Sequence, residues 1–177
     1  MRKVIILVGH GQLPRDLPKE IREEYFKLRA KPRKNLDEER LYEELERMIR
    51  NWPRNNSNDP YWNSLHKLGD LIRLRGEYDV VVAFNEFCAP HIEEALEDAY
   101  RKGYDTIVVV PTMFTPGGVH SEEEIPSTIE KISTKYGIRI LYVWPFNLED
   151  VAQLVVKQIT SYVSKEPHAE EYSGPKN

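Results

Sequence analysis

The sequence predicts an α/β fold: a doubly wound, parallel four-stranded sheet flanked by helices, with a helical insertion after the first strand. Three observations predict it. Four short runs rich in β-branched residues, Val4 to Val8, Asp79 to Phe84, Thr106 to Val110 and Ile138 to Val143, read as strands buried on both faces. Amphipathic stretches at helical spacing separate them, and strands alternating with helices give a parallel sheet. Two of the runs lead, at their carboxyl ends, into glycine-rich segments that carry a histidine.

The elements follow in order. Val4 to Val8 is the first strand and ends in Gly9-His10-Gly11. One crossover helix would suffice between His10 and Asp79, yet three amphipathic stretches are present: Pro18 to Ala30, Leu36 to Asn51 and Tyr61 to Arg75. The middle one opens with a capping pair, Asn35 with Glu38, and sets Leu41, Leu45, Met48 and Ile49 at helical spacing. It reads as the insertion, spanning about residues 33–59, and its asparagine- and proline-rich exit from Trp52 to Pro60 reads as a surface loop. After the second strand, Pro90 opens a helix through Ile92, Ala95, Leu96 and Tyr100 that Gly103 stops. After the third strand, Pro126 opens a helix through Ile129 and Ile132 that ends at Gly137. The last helix runs from about Glu149 to Ser164, with Val151, Leu154, Val155, Ile159, Tyr162 and Val163 as its apolar stripe.

At 177 residues the chain is read as one domain over 1–165, followed by a polar tail over 166–177 that is expected to be flexible. A formal net charge of -4, with Lys and Arg scattered among acids, gives no footprint for nucleic acid. The single cysteine, Cys88, excludes an intrachain disulfide and a cysteine-rich zinc site. The apolar run after Lys3 is too short to span a bilayer and runs into His-Gly without a small-residue cleavage site. A soluble cytoplasmic protein with no membrane partner is the expectation.

His10 and His120 carry the chemistry. Ligands of open α/β sheets bind beyond the strand carboxyl ends, so two imidazoles there can converge on one site, and that geometry suits a metal ion. Neutral imidazole holds borderline divalent ions yet exchanges readily, and it accepts a proton near neutral pH. Glu86 follows the second strand and can face the same crevice as a proton acceptor or third ligand; the bland alternative is a solvated carboxylate near the start of the next helix. Glu122 and Glu123 are read as solvated, His91 as a surface or capping residue and Cys88 as buried without a ligating role.

The residues also carry a resemblance. Leu7-Val8-Gly9-His10-Gly11, Val82 through Phe87-Cys88-Ala89-Pro90-His91 to Leu96, and Val109-Val110-Pro111-Thr112-Met113-Phe114 with Gly118-Val119-His120-Ser121-Glu122-Glu123-Glu124-Ile125-Pro126 resemble the CbiX/SirB family of small class II tetrapyrrole chelatases. The resemblance implies a chelatase-like fold and a lyase that inserts a divalent metal into sirohydrochlorin or a related tetrapyrrole, as in cobalamin or sirohaem biosynthesis. It implies divalent cobalt (Co2+) as the favoured metal substrate, nickel or ferrous iron as alternatives, no organic cofactor, and a homodimer. By the resemblance His10 and His120 are the metal-binding and catalytic histidines. Glu124 falls in the family's His-x-x-x-acid-Ile-Pro pattern. Thr115, Gly117 and Gly118 belong to a loop that lets backbone approach a flat ligand, and Phe87, Met113 and Phe114 are candidates for contact with its face.

Two other readings share features of the chain. Val8-Gly9-His10-Gly11 resembles the histidine phosphatase signature, but glycine stands before the histidine where phosphoryl transfer wants an arginine. A non-catalytic carrier of metal or tetrapyrrole with the same fold would bind stoichiometrically without turnover. The chain departs from the family at Gln12-Leu13-Pro14, where serine commonly follows His-Gly, at Phe146-Asn147, and in the long helical insertion.

Overall fold

A computed structural model describes residues 2–76 and 78–164. The elements are β1 (Lys3–Gly9), α1 (Lys19–Arg29), α2 (Leu36–Arg50), α3 (Pro60–Arg75), β2 (Asp79–Phe84), α4 (Ile92–Arg101), β3 (Thr106–Pro111), a π-helical turn (His120–Glu124), α5 (Ile125–Tyr136), β4 (Ile140–Tyr142) and α6 (Leu148–Val163). The tail over 166–177 lies outside the described residues.

The four strands are all parallel, in the order β2-β1-β3-β4. The chain leaves β1 toward β2 on one side and returns to β3 on the other. The direction of winding therefore reverses between β1 and β3, where a crevice opens beyond the strand ends. Side chains of β1 alternate between the faces. Val4, Ile6 and Val8 pack with α4 and α5 residues such as Ile92, Leu96, Ile125 and Ile132, while Leu7 packs with Leu65 of α3 and with Phe84 and Cys88. Burial on both faces explains why β1 reads as an unbroken apolar run.

Local signals explain the helix ends. Asn35 accepts from the Glu38 N–H and Glu38 reaches back to the Asn35 N–H, so the expected capping pair forms. Asp59 caps α3 by accepting from the Trp62 N–H at 2.9 Å, with Pro60 in the first turn. Gly137 ends α5 in the left-handed conformation.

Two features differ from expectation. The helical excess after β1 is a pair, α1 with α2, whose own core of Leu17, Tyr25, Leu28, Leu45 and Ile49 extends ahead of the 33–59 span. It is joined to the sheet by Arg54, whose guanidinium pairs with Asp59 in full burial and donates to the carbonyls of Gln12, Ile49 and Phe87. The second feature is α6, which buries no residue: Leu154 is 58% exposed, Ile159 55% and Tyr162 68%. Its apolar stripe faces outward rather than into a core. No described helix is long and apolar enough to cross a membrane.

Candidate metal centre

The β1–β2 ladder continues past the strands and builds the site. The Asn85 N–H donates to the Gly9 carbonyl at 2.9 Å and the Glu86 N–H to the His10 carbonyl at 2.8 Å, which sets Glu86 beside His10. Gly11 has φ +89, and a Cβ there would lie 1.9 Å from the Glu86 carbonyl oxygen, so only glycine permits this approach. Phe87 then turns the chain with φ 58, a conformation rare for a bulky side chain and held by the packing around it. His120 arrives from β3 through the Thr112–Val119 loop and opens the π-helical turn, a form found often at functional sites.

The two rings meet edge to face with centroids 4.6 Å apart. One ligand atom from each of His10, Glu86 and His120 falls within 4.8 Å of the others, and all three residues are half-buried. Hydrogen bonds decide the tautomers. His10 Nδ1 lies 2.7 Å from the Gly11 carbonyl oxygen, which can only accept, so Nδ1 carries the proton. His120 Nδ1 lies 2.7 Å from Glu124 Oε2, which only accepts, and 2.8 Å from Asn85 Nδ2, which only donates; with the Asn85 amide directed to the same carboxylate oxygen, the proton is assigned to Nδ1. Both Nε2 atoms therefore present lone pairs, the arrangement in which an outer acceptor fixes the ring of a metal-ligating histidine.

The carboxylates complete the centre. Glu86 Oε2 stands 3.8 Å from His10 Nε2, while Glu86 Oε1 accepts from Arg29 at the end of α1. That bond raises the Arg29 pKa above its ordinary value, so the guanidinium stays charged. Glu124 is pulled upward by partial burial, but hydrogen bonds from His120 and Asn85 outweigh this and hold its carboxyl below the usual range. Asn85 Nδ2, 2.8 Å from His120 Nδ1, donates to the same Glu124 oxygen.

The remaining residues singled out from sequence divide into two groups. Phe114, Thr115, Gly117 and Gly118 line an exposed loop at the mouth, and Phe114 meets Phe146 edge to face at 5.1 Å, with Trp144 6.0 Å beyond. Glu122, read as solvated, ties that loop by accepting from the Gly117 N–H and from Trp144 Nε1. Phe87 and Met113 sit deeper: Phe87 packs with the α1–α2 core, lies under Arg29 and lines the cavity beside Glu86, and Met113 packs against the sheet core. His91 caps α4, donating from Nε2 to the Asn85 carbonyl and accepting the Glu93 N–H at Nδ1. Cys88 is buried, as expected, and burial pushes its thiol up to about 11.

Sequence reading gave no role to Arg29, Asn85 and Trp144, and singled out Phe146 only as a departure from the family. A cavity of about 220 Å³ lies alongside, walled by Tyr25, Arg29, Tyr42 and Arg50 of the helix pair and by Asn85 and Glu86. No local pattern announces that a helix-end arginine will meet a carboxylate 57 residues later.

The comparisons agree with this architecture. The CbiX family profile matches residues 57–162, most of the chain beyond the helix pair. A sirohydrochlorin cobaltochelatase from Sulfurisphaera tokodaii is 34% identical over 98 residues, 55% of this chain and 72% of that protein. Another from Methanopyrus kandleri is 36% identical over 66 residues, 37% of this chain and 46% of that protein, less than half its length. The sirohydrochlorin chelatase SirB from Bacillus subtilis, in complex with cobalt, shares the fold with a TM-score of 0.53 and 20% identity over 91% of this chain and 51% of that one. The parallel α/β sheet has the chelatase-like fold, and the chain belongs to the CbiX family.

Proposed function

We propose that the protein is a chelatase that inserts a divalent metal, cobalt favoured over nickel or ferrous iron, into sirohydrochlorin or a related tetrapyrrole of cobalamin- or sirohaem-type biosynthesis. The observation that carries the reading is the pair of Nε2 lone pairs, fixed by two acceptor-only oxygens and converging beside Glu86. On this reading His10, His120 and Glu86 hold the metal as substrate.

The same groups answer the proton balance. A divalent ion entering the macrocycle displaces two pyrrole protons, and the departing metal vacates two imidazoles that can take them. Each imidazolium then faces a carboxylate: His10 faces Glu86 at 3.8 Å and His120 faces Glu124 at 2.7 Å. These carboxylates disfavour a phosphoryl group at His10, which argues against phosphatase chemistry. On this reading Phe114, Phe146 and the Thr115–Gly118 loop meet the face and edge of the flat ligand, a role supported by the exposure of Phe114 and the loop at the mouth and by the Phe114–Phe146 contact.

We further propose a cytoplasmic homodimer. The outward apolar face of α6 is larger in kind than scattered surface residues, and a second copy is the partner that closes it symmetrically. The test is an anaerobic absorption assay of purified protein with sirohydrochlorin and each metal, with protoporphyrin as control. Metallation of sirohydrochlorin well above the spontaneous rate is expected; tight binding with no rate enhancement would replace the enzyme by a carrier.

A further inference from the structure

Arg29 is the last residue of α1, on the helix pair ahead of the segment that the family profile matches. Its guanidinium stacks over the Phe87 ring at 5.4 Å, and Nη2 donates to Glu86 Oε1. The other oxygen of that carboxylate faces the His10 lone pair. One carboxylate thus stands between a permanent cation and the place where a divalent ion is held. The arrangement is built rather than incidental: the Glu86 side chain is only 17% exposed, and the α1–α2 pair is anchored to the same loop by Arg54 on the Phe87 carbonyl and by the Ala89 N–H on the Arg50 carbonyl.

Resting on the chelatase reading, we propose that Arg29 is a positioning residue that keeps the metal loosely held, by competing for Glu86, and so favours hand-over to the macrocycle. With metal in place the carboxylate is shared between two cations that repel each other across it. When the metal leaves, Glu86 returns to a full ion pair with Arg29 instead of standing as an uncompensated, half-buried charge. A metal centre meant to retain its ion gains nothing from such a competitor, whereas one that must release its substrate does.

The test uses the full chain carrying Arg29→Met, which keeps the stem on Phe87 and removes the charge, and Arg29→Lys, which restores a charge. Cobalt affinity is read by competition with a chromophoric chelator, without tetrapyrrole, and KM for cobalt and kcat are read with sirohydrochlorin. Arg29→Met should bind cobalt about tenfold more tightly and lower both KM for cobalt and kcat, while Arg29→Lys returns toward wild type. Unchanged or weaker cobalt binding in Arg29→Met would overturn the proposal, as would a gain in kcat. Arg29→Gln, also uncharged, must reproduce Arg29→Met, so a folding defect in one variant does not decide the matter. A wild-type protein that binds cobalt without metallating sirohydrochlorin would sink the chelatase reading, and the affinity arm alone would then decide what Arg29 does.

Discussion

His120 and Glu124 stand four residues apart on one π-helical turn, and that spacing gives the histidine its fixed ring and its free lone pair. Replacing Glu124 with Gln keeps the shape but removes the carboxylate that orients and strengthens the imidazole. Cobalt affinity should fall about 10- to 100-fold, measured by chelator competition, with the folded spectrum retained; unchanged affinity would exclude the orienting role. His91 behaves differently because it is half-buried as a cap of α4. Desolvation, followed by the nearby Arg50, lowers its pKa, while the Asn85 carbonyl opposes this. The unfolded chain therefore binds a proton at higher pH than the folded one, so the contribution of His91 to stability is complete above the ordinary histidine range. It is lost as pH falls through about 6.5 toward the depressed folded value. In His91→Asn, which keeps a capping side chain, the melting temperature should fall less between pH 7 and pH 5 than in wild type. Equal slopes in the two proteins would contradict this.

At the scale of elements, the buried Arg54–Asp59 pair decides whether the helix pair is seated. Arg54→Met leaves Asp59 charged and buried without its cation and frees the carbonyls of Gln12 and Phe87. It should cost about 3–5 kcal/mol in denaturant unfolding, and a loss below about 1 kcal/mol would show that the brace is dispensable. β1, β2 and β3 were legible because strands packed on both faces leave unbroken β-branched runs, whereas β4, at the sheet edge, takes only Ile140–Tyr142 of the expected Ile138 to Val143 run and leaves Leu141 38% exposed; the Asn35–Glu38 cap was legible because it is local. The histidines were legible from their place after β1 and β3. Arg29 and Asn85 were not, because their partners are brought together only by the ladder past β1 and β2 and by the seating of α1. The π-helical turn has no pattern of its own in the sequence, where Glu122 and Glu123 read as solvated. The apolar stripe of α6 was legible, but periodicity alone does not say whether such a face meets the chain's own core or another copy.

For the whole molecule, α6 and the crevice set the expected assembly. Substituting Leu154 and Ile159, both exposed by more than half, with Glu should convert a dimer to a monomer in light scattering while leaving helix content unchanged. A wild-type protein that is already monomeric at working concentration would contradict the proposed pairing. The central claim is that His10 and His120 hold a divalent ion and pass it to a tetrapyrrole. The most direct measurement is an anaerobic single turnover in which protein preloaded with one equivalent of cobalt is mixed with sirohydrochlorin and followed by visible absorption. Wild type should transfer its cobalt faster than the free ion reacts, and His10→Ala and His120→Ala, folded because neither ring belongs to the core, should each lose most of that advantage. Transfer at the wild-type rate by both variants, or no advantage over free cobalt in wild type, would contradict the account.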